Sequence, residues 1–360
     1  MSEENFPVTE AALTTDLQPE DQEQAVLLST DANPVPERHI AGYFTARDGI
    51  SLRYAIFKNG SGTAKGTIVL LHGRNEFIEK YFETIRHFTD LGFWVATFDW
   101  RGQGGSDRML KNPLRGHVRR FTDHENDLSH FLETIVLPDT RLPFLLIAHS
   151  MGALVALSSA PKLANRIDRM ALLAPFLDLS DQKFSSRAIY GICRILSFLG
   201  LGWLNLTRDV FPRPFEGNVL TADKARFKRN QDIYKAHPQL RVGPPSARWI
   251  AVMLGAMKKV RSLRHLDSIK VPTLLLAASA DKIVALRVIE TLANRFRAGA
   301  LVTIDGARHE LLQETDRHRL AAIAAIDAFL LPDEDISPRD LVGITKAKSD
   351  TDQSQITEKA

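Results

Sequence analysis

Apolar residues recur along this chain in two alternating patterns. Short apolar runs stand at residues 66–72, Trp94-Val95-Ala96-Thr97-Phe98, Pro143-Phe144-Leu145-Leu146-Ile147, residues 169–174, residues 272–277 and Leu301-Val302-Thr303-Ile304. Unbroken apolar runs of this length predict strands buried on both faces. Between them the spacing predicts helices near 78–91, 121–136, 152–164, 285–297 and 316–330. Residues 42–48 and 51–57 read as a hairpin turned at Asp48-Gly49. Strand and helix in regular alternation define an α/β fold: a mostly parallel central sheet with helices on both faces.

One stretch breaks the alternation. Residues 180–265 separate two predicted strands and read as a mostly helical cap insertion. Within it, residues 188–204 are strongly apolar, but Arg194 and three glycines interrupt them, and the run is too short to span a bilayer. Two readings stand: a helix packed on the core, or apolar side chains offered to a lipid surface.

Charge sharpens this division. Residues 1–38 hold nine acids and one base, and read as a disordered acidic tail. Residues 332–360 hold seven acids and four bases, and read as a flexible C-terminal tail. The core is thus expected over 39–179 and 266–331. The net charge of +3 hides a basic body, because the insertion alone holds 16 bases and five acids. Its densest cluster is Lys224, Arg226, Lys228 and Arg229. Such a cap is expected to make peripheral contact with an anionic membrane. The single cysteine, Cys193, excludes an internal disulfide and fits a reducing compartment. The start of the chain lacks the basic and apolar regions of a secretory signal. A cytoplasmic enzyme follows as the expectation, working at the inner face of the membrane. Nucleic acid is excluded for want of a binding motif or basic-aromatic interleaving. No histidine spacing suggests a metal. Arg101-Gly102-Gln103-Gly104-Gly105-Ser106-Asp107 mimics a dinucleotide fingerprint, but Asp107 stands where a third glycine is needed, so no cofactor is expected.

The chemistry centres on Ser150, in Ala148-His149-Ser150-Met151-Gly152, between a predicted strand and a predicted helix. A strand–turn–helix apex holds a serine hydroxyl above the sheet edge and needs small neighbours, here Ala148 and Gly152. A serine hydroxyl is a poor nucleophile without a base, and the base needs a carboxylate to fix its tautomer. Asp281 follows the strand at 272–277, and His309 follows the strand at 301–304. Serine, acid and histidine thus come in the chain order of this class of site. After the strand at 66–72 the loop continues Gly73-Arg74-Asn75-Glu76-Phe77. The backbone N–H groups of Arg74 and Met151 are the candidate oxyanion donors, and His72 reads as structural.

His72-Gly73-Arg74, Asp99-Trp100-Arg101-Gly102-Gln103-Gly104-Gly105-Ser106, Arg115-Gly116-His117 and His149-Ser150-Met151-Gly152 together resemble the bacterial lysophospholipases and monoacylglycerol lipases of the α/β-hydrolase superfamily. The resemblance spans about residues 40–330. It implies that Ser150, Asp281 and His309 are the catalytic residues and that Arg74 and Met151 supply the oxyanion hole. Glu76 matches the acidic residue that monoacylglycerol lipases place near the glycerol hydroxyls, and it forms with His149 the expected substrate-binding pair. Phe77 stands where the family often has histidine. The expected reaction is cleavage of the acyl ester of a lysophospholipid or monoacylglycerol through an acyl-enzyme. Rival readings are a carboxylesterase or thioesterase, an acyltransferase, and a non-catalytic ligand-binding homologue. Head group, acyl chain length and oligomeric state are not encoded in these motifs.

Overall fold

A computed structural model describes residues 26–60, 62–180 and 184–331. The strands are β1 (His39–Thr45), β2 (Ser51–Phe57), β3 (Thr67–Leu71), β4 (Trp94–Phe98), β5 (Phe144–His149), β6 (Arg169–Leu173), β7 (Thr273–Ala278) and β8 (Gly299–Ile304). They form one eight-stranded sheet in the order β1-β2-β4-β3-β5-β6-β7-β8. The hairpin pairs antiparallel and joins β4 antiparallel, while every later pairing is parallel. β3, β5 and β7 are buried at every position, as their unbroken apolar runs predict.

The helices are α1 (Phe82–Asp90), α2 (Phe121–Phe131), which runs through a π turn into α3 (Leu137–Asp139), α4 (Met151–Leu163), α5 (Ser186–Phe198), α6 (Lys224–Ala236), α7 (Ala247–Val260), α8 (Leu263–Ser268), α9 (Leu286–Ala293) and α10 (Asp316–Leu330). Side chains alternate across each strand, so the sheet divides two cores. Ile68 and Leu70 of β3 pack with Phe82 and Ile85 of α1 and Ile323 and Ile326 of α10. Val69 and Leu71 face Leu128 of α2, Leu154 of α4, Met257 of α7 and Ile289 of α9.

β3 lies between β4 and β5, so the chain reverses its direction of advance across the sheet there. At such a point the loops after neighbouring strands part and leave a crevice at their carboxyl ends. Leu71 pairs with Ala148, so His72 and Gly73 leave β3 at the level where Ser150 leaves β5.

Two expected boundaries differ. Residues 26–38 do not belong to a disordered tail. Leu27 is buried in the core, the Leu28 N–H donates to Glu79 Oε1 at 3.0 Å, and Asn33 Nδ2 donates to the Glu79 carbonyl at 2.9 Å. The charge count misled because seven of the nine acids precede residue 26, where the apolar Val26-Leu27-Leu28 begins. Residues 1–25 and 332–360, the rest of the expected tails, lie outside the described residues. The insertion is also not a single layer. α7 buries Met253, Met257 and Val260 in the sheet core, and α8 runs across the expected boundary at 265. α5 buries only Cys193.

Candidate active site

Ser150 ends β5 and caps α4 with φ 50° and ψ −111°. This is a strained conformation for a residue with a Cβ, at a cost of about 1–3 kcal/mol. The surroundings enforce it: the Ser150 N–H donates to the Leu173 carbonyl at 2.9 Å, and its carbonyl accepts from Phe176 N at 3.1 Å. The need for a small residue at 152 is steric. A Cβ there would lie 2.6 Å from the His72 carbonyl oxygen and 2.7 Å from that of Leu71.

The structure brings the three sequence-predicted reactive residues together. The Ser150 hydroxyl donates to His309 Nε2 at 2.9 Å, and His309 Nδ1 donates to Asp281 Oδ2 at 2.7 Å. Asp281 Oδ1 accepts from the N–H groups of Ile283 at 2.7 Å and Val284 at 3.0 Å, which fixes the carboxylate. Burial pushes the Asp281 carboxyl up, but the His309 bond and these amides outweigh it and hold it below the usual range. Such an arrangement can deprotonate a serine during attack and return the proton to a leaving group.

The loop after β3 faces this group. Met151 opens α4, so its N–H is one of the free donors of a first helical turn. Gly73 lets the loop approach; a Cβ there would meet Glu76 Oε2 at 2.8 Å and His149 Nδ1 at 3.0 Å. Glu76 and His149 line the cavity, as expected of a substrate-binding pair, but they are already engaged. The Glu76 carboxylate accepts from Gly73 N, from the Tyr81 hydroxyl at 2.8 Å, from Lys80 Nζ at 2.7 Å and from His149 Nδ1 at 3.1 Å. Three of these donors converge on Oε2, and Lys80 alone reaches Oε1. His149 Nε2 donates to the His309 carbonyl at 3.1 Å. Both ring nitrogens of His149 therefore face acceptors, a pattern that only an imidazolium satisfies. Burial disfavours that charge, but Glu76 and Glu310 prevail and raise the pKa above the ordinary histidine value. Lys80 Nζ also reaches Glu310 Oε1 at 2.7 Å, so two carboxylates balance two cations. The pair thus ties the loop of Arg74 to the loop of His309. Phe77 is fully buried, edge-on to Tyr234 at 4.9 Å between centroids.

Sequence reasoning missed the buried cluster below this loop. Arg53, 1% exposed, pairs with both oxygens of Glu79 at 2.7 Å and, through Nε, with Asp99 Oδ2 at 2.7 Å. Asp99 Oδ1 accepts from Ile78 N at 3.0 Å, which pins the end of the loop. An arginine inside the apolar strand β2 was the available signal.

Above Ser150 lies a cavity of about 640 Å³. Phe176, Leu179, Ile189, Met253 and Leu254 give it apolar walls, while Arg74, Arg213 and Lys282 add positive charge. The cap reaches the catalytic loop directly: Glu310 N donates to the Leu220 carbonyl at 2.8 Å, and Arg308 donates to the carbonyls of Asn218 and Thr221. Among the described residues no cluster of metal-ligating side chains occurs, and no helix is long and apolar enough to cross a membrane.

This sheet order and a serine at the β5–α4 apex define an α/β-hydrolase, and the chain is a serine hydrolase of the carboxylic-ester class. It belongs to the family described as serine aminopeptidase, S33, which it matches over residues 62–316. It is 32% identical to lysophospholipase L2 of Escherichia coli over 295 residues, 79% of this chain and 86% of the relative. It is 26% identical to human monoglyceride lipase over 228 residues, 62% of this chain and 67% of the relative. Its fold is similar to that of a soluble variant of monoglyceride lipase from Saccharomyces cerevisiae (TM-score 0.66, 20% identity), covering 86% of this chain and 98% of that one.

Proposed function

We propose that the protein hydrolyses the acyl ester of a lipid monoester, a lysophospholipid or a monoacylglycerol, with Ser150, His309 and Asp281 as its catalytic residues. The observation that carries this reading is the chain of short contacts from Ser150 through His309 to Asp281 at the floor of an apolar cavity. Ser150 Oγ attacks the acyl carbonyl while His309 Nε2 takes its proton. The N–H groups of Arg74 and Met151 receive the developing oxyanion. The intermediate collapses, and His309 returns the proton to the departing alcohol. Water, deprotonated by His309, then adds to the acyl-enzyme, and the fatty acid leaves with Ser150 regenerated. Glu76 and His149 act through other residues, by holding the two loops at a fixed separation.

The reading extends to peripheral membrane contact at the cytoplasmic face, through a surface other than the basic cluster of α6. Arg226 and Arg229 are not a free basic patch, since both pair with Glu83 of α1, at 2.6 and 2.8 Å. Lys228 pairs with Asp232. Instead α5 exposes Ile195 at 62%, Phe198 at 91% and Leu199 at 62%. Phe184 and Ile192, also exposed, line the cavity, so an apolar face continues to its mouth. Arg187 and Arg194 stand exposed beside it. Apolar side chains flanked by cations suit an anionic lipid surface.

The decisive experiment is Ser150→Ala assayed on lysophospholipids, monoacylglycerols and short p-nitrophenyl esters, with fluorophosphonate labelling alongside. Turnover should fall on the order of 10⁶-fold and labelling should vanish, while thermal unfolding stays cooperative. A variant keeping about a tenth of the activity would remove Ser150 from the mechanism.

A further inference from the structure

The cavity wall beside the candidate oxyanion hole carries positive charge that the protein does not neutralise. The Arg74 guanidinium lies over the Trp249 ring, 5.1 Å from its centroid, and Nη2 donates to the Gly243 carbonyl. Its Nε is buried without a partner, and no carboxylate pairs with it among the described residues. Arg213 lines the same cavity, and its side chain makes no hydrogen bond or ion pair among the described residues. The two cations interact: burial first, then the charge of Arg213, pulls the Arg74 pKa down to about 10.

The neighbouring carboxylates are committed elsewhere. Asp209 accepts both terminal nitrogens of Arg241, at 2.9 and 2.6 Å. Glu76 and Glu310 are matched by Lys80 and His149. A small side pocket of mixed lining, about 50 Å³, adjoins Arg213, with Asn230, Gln231 and Arg241 among its polar groups and Phe211 and Phe227 among its apolar ones. The cavity thus combines apolar walls that suit an acyl chain with two guanidinium groups, Arg74 and Arg213, that have no carboxylate partner among the described residues. A guanidinium fork matches the oxygens of a phosphate and is weakly hydrated, so an anion there would satisfy donors that the protein leaves open.

We propose that Arg74 and Arg213 form a phosphate subsite, which makes the glycerophosphate head group of a lysophospholipid a better fit than the neutral glycerol of a monoacylglycerol. The inference rests on the lipid-monoester reading and narrows it. The arrangement agrees with the chemistry of such a lipid. Arg74, Arg213 and Ser150 line one cavity, so an ester seated at Ser150 would share it with both guanidinium groups.

The test compares kcat/KM on 1-palmitoyl lysophosphatidylglycerol and 1-palmitoylglycerol, each in nonionic detergent micelles brought to the same surface charge with a fixed mole fraction of a non-hydrolysable anionic amphiphile. Arg213→Gln should lower the ratio of the two about tenfold, the worth of one charge-assisted hydrogen bond. Arg213→Lys should restore part of it, and Arg74→Gln, which keeps the backbone N–H, should lower it too. With a soluble p-nitrophenyl ester as reporter, glycerol 3-phosphate should inhibit the wild type more strongly than glycerol does, and Arg213→Gln should erase the difference. A ratio unchanged in both glutamine variants, or a wild type that prefers the monoacylglycerol, overturns the subsite and leaves the lipid-monoester reading standing. Cleavage of the short ester with neither lipid accepted overturns that reading, and the subsite with it.

Discussion

Replacing Arg53 by methionine tests how the buried charges support the site. Arg53 holds two carboxylates whose side chains are both 0% exposed, Glu79 and Asp99, and it donates to the Val26 carbonyl at 2.9 Å. Methionine occupies similar space and supplies no donor. Removing one partner of a buried pair costs about 3–5 kcal/mol, because the remaining charge stays desolvated. At about 2–4 °C per kcal/mol for a domain of this size, Tm should fall by roughly 10 °C. The pH dependence is the sharper readout. In the wild type, burial raises the Asp99 pKa but the Arg53 charge outweighs it and brings the value to about 2, so its stabilising contribution is present above the unfolded value near 3.9 and lost only as pH falls toward 2. In the variant the stranded carboxylates should titrate above their unfolded values, so the folded state binds more protons and stability should rise as pH falls from about 8 to about 5. Thermal unfolding of both proteins across that range measures the difference. A Tm loss under about 2 °C, or parallel pH profiles, would refute the reasoning. Adding Glu79→Met should cost less than the two changes summed, since both act on one pair.

Three further outcomes follow from the site and the cap. Asp281→Asn should lower kcat by roughly 10⁴-fold, whereas Asp178→Asn should leave kcat within about threefold, because Asp178 bonds Ser186 and Arg261 rather than His309. The reverse order would relocate the acid. The raised pKa of His149 stabilises the fold fully below the unfolded value near 6.5, and this contribution is lost as pH rises through the folded value. The stability gap between wild type and His149→Gln should therefore shrink at alkaline pH, and a constant gap would show that His149 does not carry the charge. Ile195→Ser with Phe198→Ser should weaken co-sedimentation with anionic vesicles while hydrolysis of a soluble ester continues; undiminished sedimentation would exclude α5 as the contact.

The fold was legible because its signal is local. The strand at 94–98 and the helix at 316–330 fall where the pattern puts them, since burial on both faces imposes an apolar run on a central strand and burial on one face imposes helical spacing on a covering helix. The trio Ser150, Asp281 and His309 was legible for a related reason. Each sits at the carboxyl end of a strand, and the sheet order brings those ends together. The partners of Glu76 were not legible. Gly73 and Lys80 lie three and four residues from it, but His149 and Glu310 reach it or Lys80 only through the tertiary fold. Arg53, Glu79 and Asp99 are likewise far apart in the chain.

Charge marks the limit most sharply. Counting residues made Lys224, Arg226, Lys228 and Arg229 the basic feature of the insertion, because a count treats each cation as free. Folding gives Arg226 and Arg229 to Glu83, whose carboxyl burial would raise but which these arginines bring down to about 2. That cluster therefore serves to clamp α6 against α1, and its field is largely cancelled. Among the described residues, cations without a carboxylate partner include Arg187 and Arg194 on the exposed side of α5 and Arg74 and Arg213 on the cavity wall. Desolvation makes a paired charge a structural tie, while an unpaired one at a surface or cavity still attracts an anion. Recognition of an anionic lipid by this protein should accordingly follow the unpaired cations and not the density of basic residues along the chain.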